Sequence, residues 1–323
     1  MSDRYIGVDV GGTKIAAAVL ESGSLHHQGI QPTDADDSDQ LIDEICSLVE
    51  RIGSDEVRAV GVGVPSVVDF ESGTARSSVN VPLADVPLRR VLGERLGLPV
   101  FVDNDATVAA LAEACDDGEV RTQNLVMLTV GTGVGGGLVL NGRPYRGATG
   151  AAAELGHMLV GLDLDGDVPA PGSFPQQGSL ESLAAGSALD RLARAAASEH
   201  PDSHLGRQLA AGEEITGHDA VDGAKAGDEV AVGLLAKLGK RLGIGIANVI
   251  NALDPDVVAI GGGVSNAGDL LLEPARRCAE GYVLPGVGTE TEIRLSRHGP
   301  TAGVLGAALL AKQELKRREE TTR

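Results

Sequence analysis

The sequence predicts an α/β protein of two similar domains that face each other and share one ligand. Three observations support this prediction. A strand–glycine turn–strand unit occurs twice, apolar strands alternate with helices that are apolar on one face, and 323 residues allow two domains with a substantial core. Two copies of one unit are too few for a solenoid, whereas two facing domains can clamp a ligand between their turns.

The second copy of the unit, within residues 125–157, carries the stronger signal. The apolar run Leu125–Val130 predicts a buried strand, and Leu138–Leu140 predicts another, turned by Asn141-Gly142. Glycines crowd the turn between them: Gly131, Gly133, Gly135, Gly136 and Gly137. Glycine fills no volume, so such a turn suits backbone N–H groups that must approach a polyphosphate. A glycine-rich hairpin with bulges is the alternative interpretation of this segment taken alone.

The first copy lies at Ile6–Ser22. Shifted by 120 positions, Val10-Gly11-Gly12-Thr13 falls on Val130-Gly131-Thr132-Gly133, and Val19-Leu20 falls on Val139-Leu140. The duplication predicts one glycine turn in each domain, both offered to the same ligand.

Composition excludes several classes of protein. A net charge of −19 opposes binding to nucleic acid or to an anionic membrane. No apolar run approaches the ~20 residues of a membrane span. Aromatic residues make up only 2% of the chain, so the core is expected to be aliphatic.

Charge and cysteine usage also indicate the environment. The excess of acid and the scarcity of Lys beside Arg favour a surface adapted to high salt, and a plain acidic cytosolic protein is the alternative. Cys46, Cys115 and Cys278 form no C-x-x-C pair, which indicates a reduced, cytoplasmic protein. Because a strand is expected from Tyr5 onwards, no signal peptide is expected.

Alternating and one-faced apolar patterns give the elements of the first domain. A helix has its apolar face at Leu41, Ile42, Ile45, Leu48, Val49 and Ile52, and Leu88–Leu96 is a short helix closed by Gly97. The predicted strands are Tyr5–Val10, Ile15–Leu20, Leu25–Gln31, Val57–Val64 and Pro99–Val102.

Asp103-Asn104-Asp105 follows the last of these strands and precedes a helix at Ala106–Ala114. Ligands of open α/β sheets gather at the carboxyl ends of strands, so this junction is a candidate site. An Asp at a helix start is also a common N-cap, and capping is the alternative role for Asp105.

The polar stretch Asp116–Thr122 marks the domain boundary. Beyond it lie a long irregular loop at Leu162–Gly178, helices between Leu180 and about Leu209, and an apolar, buried helix at Glu229–Leu253. The remaining elements are a strand at Val257–Ile260 that runs into three glycines, a helix at Asp269–Glu280 and a closing helix at Thr301–Lys316. We expect domains at 1–119 and 120–300, with the closing helix 301–323 packed on the first.

In combination and in order, these segments resemble the ROK (repressor, open reading frame, kinase) family of sugar kinases, within the actin-like ATPase superfamily. The resemblance covers essentially the whole chain. It implies two actin-like (ribonuclease H-like) domains with the active site in the cleft between them. It also implies a homodimer that binds a sugar, ATP and Mg²⁺.

Carried over residue by residue, the resemblance assigns a role to each motif. Asp105 is the catalytic base, and Asp9 helps to place Mg²⁺ through water. The ATP phosphates lie against the two turns, at Gly11, Gly12, Thr13, Lys14, Gly131, Thr132 and Gly133. Adenosine packs against Gly261, Gly262 and Gly263. The sugar hydroxyls bind Asn80, Asn104, Asp105, Glu154, His157 and Glu181.

The chemistry of these residue types agrees with the assigned roles. A sugar hydroxyl both donates and accepts hydrogen bonds, so carboxylate and amide groups suit it. Phosphoryl transfer needs positioning, charge neutralisation and a group that receives the hydroxyl proton. Taken singly, Glu154 and His157 are equally consistent with solvated polar residues beside a turn, and Gly261–Gly263 with an ordinary strand–helix turn.

The chain departs from the family pattern in two places. Residues 169–181 lack the cysteines with which the family binds a structural zinc ion, although Glu181 is retained, so no structural zinc is expected. Asp163, Asp165 and Asp167 suggest a calcium loop, but Val168 and Phe174 break that pattern. Ser66 also stands where many relatives have Gly after Pro65, beside the expected sugar pocket.

The resemblance therefore predicts an ATP-dependent hexose kinase that acts on the 6-hydroxyl of glucose. An N-acetylated hexosamine, N-acetylglucosamine or N-acetylmannosamine, or another hexose is the alternative substrate. A sugar-sensing regulator without its DNA-binding domain is the remote alternative. Regulators of this family carry a winged helix-turn-helix ahead of the first strand, whereas here the first strand is expected to begin at Tyr5.

Overall fold

The first part of the chain has the strands and helices that the apolar pattern predicts and, in addition, three short strands within residues 66–86 that it did not predict. The structure, a computed structural model, describes residues 3–34, 36–53, 56–78, 80–163 and 170–321. The first strands are β1 (Arg4–Val10), β2 (Lys14–Glu21), β3 (Ser24–Pro32), β4 (Val57–Val64), β5 (Ser66–Asp69), β6 (Thr74–Ser78), β7 (Ala84–Val86) and β8 (Val100–Asn104). The helices among them are α1 (Ser38–Ile52), α2 (Leu88–Leu96) and α3 (Asp105–Ala114).

The rest of the chain adds short strands and most of the helices. The strands are β9 (Cys115–Asp116), β10 (Glu119–Val120), β11 (Leu125–Val130), β12 (Val134–Leu140), β13 (Arg143–Pro144), β14 (Val257–Gly261) and β15 (Glu292–Leu295). The helices are α4 (Leu180–Ala184), α5 (Gly186–Glu199), α6 (His204–Ala210), α7 (Gly217–Lys225), α8 (Glu229–Leu253), α9 (Asp269–Tyr282) and α10 (Ala302–Thr321).

Two five-stranded sheets repeat one topology, which confirms the duplication. The first has the order β3-β2-β1-β4-β8, and the second has the order β13-β12-β11-β14-β15. In the first sheet β1 to β3 form an antiparallel meander, while β4 and β8 run parallel to β1. Each glycine turn follows the first strand of its sheet and is closed by a backbone bond, from Gly11 N to Lys14 O and from Gly131 N to Gly133 O, both 2.9 Å.

The chain divides into two units. One comprises Met1–Met127, Gly137–Ala153 and Arg297–Arg323, and the other comprises Leu128–Gly136 and Glu154–Ser296. The division passes through β11 and β12, whose residues belong partly to each unit. The boundaries expected from the sequence, 1–119 and 120–300, stay a prediction.

In the first unit, helices cover both faces of the sheet. Side chains of β1 that alternate along the strand join a cluster with α1, whereas Tyr5 and Phe101 join α3 and α10. Gly7 and Gly61 let α10 approach the sheet closely, because a Cβ on either glycine would overlap a backbone carbonyl of α10. The core is aliphatic, as the composition predicts.

In the second unit, α8 is the central helix. Its 25 residues include twelve that are buried, which confirms the prediction of a buried helix at Glu229–Leu253. Gly239 and Gly243 pack it against α9, since a Cβ at either position would lie 2.5 Å from a carbonyl oxygen of Leu271 or Ala275. Strands β14 and β15 pair in parallel beside these helices.

Candidate functional site

The carboxyl ends of the parallel strands in the first unit bring two predicted segments to one edge of the sheet. Asp9 on β1 pairs in register with Gly63 on β4, and Gly63 pairs with Asp103 on β8. Burial and, to a smaller extent, the negative charge of Asp105 raise the pKa of Asp9 from 3.8 to about 6, and the positive charge of Lys14 opposes this shift. The structure therefore brings the predicted Mg²⁺ residue, the predicted base and the phosphate lysine together.

Asn104 is the N-cap of α3. Its Oδ1 accepts hydrogen bonds from the backbone N–H groups of Ala106 at 3.0 Å and Thr107 at 3.1 Å, and its Nδ2 donates to the carbonyl oxygen of Ser66 at 3.3 Å. Asp105 is the first helical residue. The capping role that the sequence left open for Asp105 is thus wrong, and the cap is its neighbour. Both polar ends of the Asn104 side chain bond to the protein itself.

The carboxylate of Asp105 is oriented by the start of α3. It lies in the first turn of α3, where the partial positive charge of the helix end attracts anions, and its Oδ1 accepts from the N–H of Ala106 at 2.8 Å. A carboxylate that is held at a helix start and oriented by backbone can receive a proton from a nearby hydroxyl.

Thr33, a residue that the sequence analysis did not single out, stabilises the first glycine turn by two hydrogen bonds. Thr33 donates its hydroxyl to the carbonyl oxygen of Gly11 at 2.7 Å, and its N–H bonds to Thr13 O at 3.0 Å. Gly12 lies against Asn80, because a Cβ there would be 3.1 Å from the Asn80 carbonyl oxygen. Asn80, Thr13 and Lys14 are exposed.

In the second unit the predicted sugar residues gather around the second turn. Glu181 accepts a hydrogen bond from the N–H of Val134 at 2.8 Å and lies against Gly133, where a Cβ would overlap its carboxylate. Gly156, which lies between Glu154 and His157 in the chain, packs on the carbonyl group of Val134 at the start of β12. The side chains of Glu154 and His157 are 3.8 Å apart and exposed.

A cavity of about 400 Å³ adjoins the second turn within the same unit. The turn, the glycine segment after β14 and the amino-terminal ends of α5 and α7 line it. Gly186 N bonds to Gly131 O at 2.7 Å, and Gly262 has a φ of +84° with the backbone of Val130 where its Cβ would be. Two helix amino termini beside a glycine turn make a place for an anionic ligand.

Several cavity residues were missed at the sequence level. They lie on α5 and α7 and include Gly186, Ser187, Asp190, Thr216, Gly217 and His218. Asp190 orders the start of α7 by accepting from the N–H of Gly217 at 2.6 Å. The available signal was a Gly at the first position of both helices, which gives a ligand close access to backbone N–H groups.

The segment where the family resemblance would place zinc is closed by backbone pairing. Val160 and Gly161 both donate their N–H to Gly178 O, at 2.8 and 3.0 Å, and Leu180 N bonds to Met158 O at 2.8 Å. In the part of the chain that the structure describes, no group of three or more His, Cys, Asp or Glu side chains is arranged to hold a metal ion. Asp165, Asp167 and Val168 of the calcium-loop pattern lie outside the described residues.

Membrane insertion finds no support among the helices. None of those in the described ranges combines the length and the apolar character that crossing a bilayer requires.

Comparison with known proteins gives matches along nearly the entire chain. The sequence model of the ROK family matches residues 5–314. A glucokinase of Halalkalibacterium halodurans is 37% identical over 97% of both chains, and an N-acetyl-D-glucosamine kinase of Escherichia coli O127:H6 is 37% identical over 95% of this chain and 98% of its own. The crystal structure of a ROK family glucokinase from Streptomyces griseus, in complex with glucose and AMPPNP, is 35% identical and superposes with a TM-score of 0.79 over 96% of this chain and 99% of its own.

Proposed function

The chain belongs to the ROK family, and on that premise we propose that it is a glucokinase, which transfers the terminal phosphoryl group of ATP to the 6-hydroxyl of glucose. The observation that carries the proposal is the 37% identity to a glucokinase over 97% of each chain. The similar structure that holds glucose and AMPPNP supports it. The chain is thus a sugar phosphotransferase with two actin-like domains, as the sequence predicts.

ATP has a matching surface in each unit. The cavity beside the second turn has the volume and the glycine-lined, N–H-rich wall that a nucleotide requires. We assign the phosphates to Gly131–Gly133 and to Gly11–Lys14, and adenosine to Gly261–Gly263. In this assignment Lys14 supplies a positive charge, and the first turn supplies backbone donors.

The residues around Asp9 fit a hydrated magnesium ion. Mg²⁺ keeps several waters and takes one or two carboxylates, and here two carboxylates, Asp9 and Asp105, interact electrostatically. The ion would neutralise charge on the phosphates. Gly303 leaves room for the Asp9 carboxylate, because a Cβ there would overlap it.

Asp105 acts in this mechanism as general base. The 6-hydroxyl oxygen attacks the terminal phosphorus, the bond from that phosphorus to the bridging oxygen of ADP breaks, and the hydroxyl proton passes to the Asp105 carboxylate. Asn80, Asn104, Glu154, His157 and Glu181 are the proposed ligands of the other hydroxyls. Asn80, Glu154 and His157 are exposed, whereas Asn104 and Glu181 are partly exposed and already accept backbone hydrogen bonds.

Ser66 does not decide the substrate through its hydroxyl. The side chain is 4% exposed, and its Oγ donates to the carbonyl oxygen of Ser77 at 2.7 Å. Its own carbonyl group instead orients Asn104. The match to an N-acetyl-D-glucosamine kinase keeps an N-acetylhexosamine as the second candidate substrate.

A coupled assay of ADP release tests both candidates. Purified protein with MgATP is offered glucose, mannose, fructose, N-acetylglucosamine and N-acetylmannosamine, each at low and at molar KCl. We expect the highest kcat/KM with glucose. A higher value with an N-acetylated sugar would assign the second candidate, and no turnover with any sugar at either salt concentration would contradict the proposed function. The homodimer, the cytoplasmic location and the lack of nucleic-acid binding are further proposals from the family resemblance and the charge.

A further inference from the structure

Asp103, the residue two positions before the proposed base, is a buried carboxylate with two different partners. It is 2% exposed, its Oδ1 accepts from the N–H of Asn104 at 3.0 Å, and its Oδ2 accepts from Nε of Arg146 at 2.7 Å. One carboxylate therefore links the arginine to the backbone of the segment Asp103–Asp105. Burial raises the pKa of Asp103, and the positive charge of Arg146 opposes that shift.

Arg146 is itself held in place by an aromatic ring and by a tight loop. Its guanidinium carbon lies 3.5 Å from the ring centroid of Phe70. The loop that follows packs on β5, because a Cβ at Gly150 would overlap the carbonyl group of Val68. Nη2 of Arg146 is buried and has no hydrogen-bond partner among the described residues. The ion pair with Asp103 and the Phe70 ring thus fix this side chain.

The Phe70 ring belongs to a stack that reaches two helices. Arg89 of α2 lies 5.3 Å from the Phe70 centroid and 5.9 Å from that of Phe101, and Arg318 of α10 lies 4.6 Å from the latter. The chain has three Phe residues and no Trp, so two of its three Phe rings lie in this stack. Phe101 is on β8, the strand that ends at Asn104, so the stack buttresses the same strand.

We propose that Arg146 is a positioning residue for phosphoryl transfer, which acts through Asp103 to fix the segment Asp103–Asp105 and so the direction of the Asp105 carboxylate. The inference rests on the proposed function. Its physical basis is that a planar guanidinium group can bond the carboxylate edge-on and stack on Phe70 at once, which a lysine ammonium cannot do. A displacement of about 1 Å at the reacting atoms lowers rates by about 10²-fold.

The experiment compares Arg146→Met, Arg146→Lys, Asp103→Asn and the double variant of Asp103→Asn with Arg146→Met. Arg76→Met is the matched control, since Arg76 is an exposed arginine of the same unit that pairs with Asp69. Single-turnover rates, kcat, both KM values and the melting temperature are measured well below the lowest melting temperature. We expect kcat and the single-turnover rate to fall about 10- to 100-fold in Arg146→Met.

Further readouts separate positioning from mere stabilisation. In Arg146→Met, KM for ATP should stay within about twofold of the wild-type value, and Arg146→Lys should recover part of the lost rate. The double variant should be no slower than the slower of the two single variants, because both substitutions break the same ion pair. Arg76→Met should match the wild type. A wild-type single-turnover rate in folded Arg146→Met would overturn the inference. If that variant does not fold, wild-type rates in both Arg146→Lys and Asp103→Asn would overturn it. Absence of turnover in the wild type would instead overturn the proposed function, and this inference with it.

Discussion

At the scale of the residue, ionisation of Asp9 costs the folded protein free energy. Its pKa is raised from 3.8 to about 6, mainly by burial, so the folded state binds the proton more tightly than the unfolded state. The contribution to stability is therefore fully present below pH 3.8 and is lost as the pH rises through about 6. A shift of this size corresponds to about 3 kcal/mol at pH 8.

Asp9→Asn should accordingly raise the free energy of unfolding at pH 8 by up to about 3 kcal/mol, because the amide carries no charge to bury. The gain should shrink through pH 6 and vanish near pH 4. Urea unfolding at the three pH values measures it. A gain of equal size at pH 4 and pH 8 would point to a cause other than ionisation. The same protonation should lower kcat/KM for ATP below about pH 6 in the wild type.

Asp105 and Asn104 separate catalysis from capping. Asp105→Asn removes the proton acceptor, so kcat should fall by roughly 10²–10⁴, while the melting temperature should hardly change because Asn104 holds the cap. Asn104→Ala is the counterpart and should lower the free energy of unfolding by about 1 kcal/mol. Retention of more than about a tenth of kcat by Asp105→Asn, with chemistry rate-limiting, would contradict the general-base assignment.

Sequence reasoning located these residues but could not divide their roles. An N-D pair at a strand–helix junction predicts that one of the two residues caps the helix, and a shift of one residue in the helix start decides which one. The Asp103–Arg146 ion pair could not be predicted from the sequence for another reason. It joins positions 43 residues apart, and no periodicity within either segment encodes the pairing. Thr33, which holds the first turn, was missed for the same reason.

At the scale of the element, the close packing of α10 on the first sheet requires glycines, which carry no side chain, at the contact. A Cβ at Gly61 would overlap the carbonyl group of Ala307, whose neighbours are fixed helix backbone. Gly61→Ala should therefore lower the free energy of unfolding by about 3 kcal/mol. Gly233→Ala on α8 is the matched control, since nothing lies within 4 Å of its added Cβ, and it should stabilise the protein by about 0.5–1 kcal/mol. Equal effects from the two substitutions would contradict this close packing.

The segment around His157 should hold its shape without zinc. Backbone pairing with Gly178 and an edge-to-face contact between the rings of His157 and Phe174, 5.3 Å apart, act in the described part of this segment. Protein purified without added zinc should contain well under one zinc ion per chain by elemental analysis. Stoichiometric zinc that survives dialysis against a chelator would refute this expectation.

The elements themselves were largely predictable because their patterns are local. Alternation in β1, the apolar face of α1 and the long apolar run of α8 each gave the right type of element. The duplicated turn also gave the shared topology of the two sheets. Of the cavity in the second unit, the sequence predicted the two glycine segments but not the wall formed by α5 and α7. The helix starts at Gly186 and Gly217 come together only through the packing of these two helices.

At the scale of the whole molecule, the net charge of −19 predicts a dependence on salt. At ~0.01 M salt charges interact over about 30 Å, and at ~1 M over about 3 Å. Repulsion among the acidic groups should be screened at the higher salt concentration, so the melting temperature should rise with added KCl. Sucrose of equal osmolality controls for solute exclusion. A flat or falling melting temperature between these concentrations would contradict the salt-adapted surface.

The placement of α10 on the first sheet has a consequence for biosynthesis. Gly7 contacts a helix that follows it by almost three hundred residues, and the whole second segment of the other unit, Glu154–Ser296, is translated in between. The apolar face of β1 and β4 that α10 covers stays open on the ribosome until that helix emerges. Closing so distant a contact is entropically costly for an unfolded chain. Structure formed within Glu154–Ser296 shortens the loop that this contact has to close, so the first unit is expected to complete its fold only after that segment has been made.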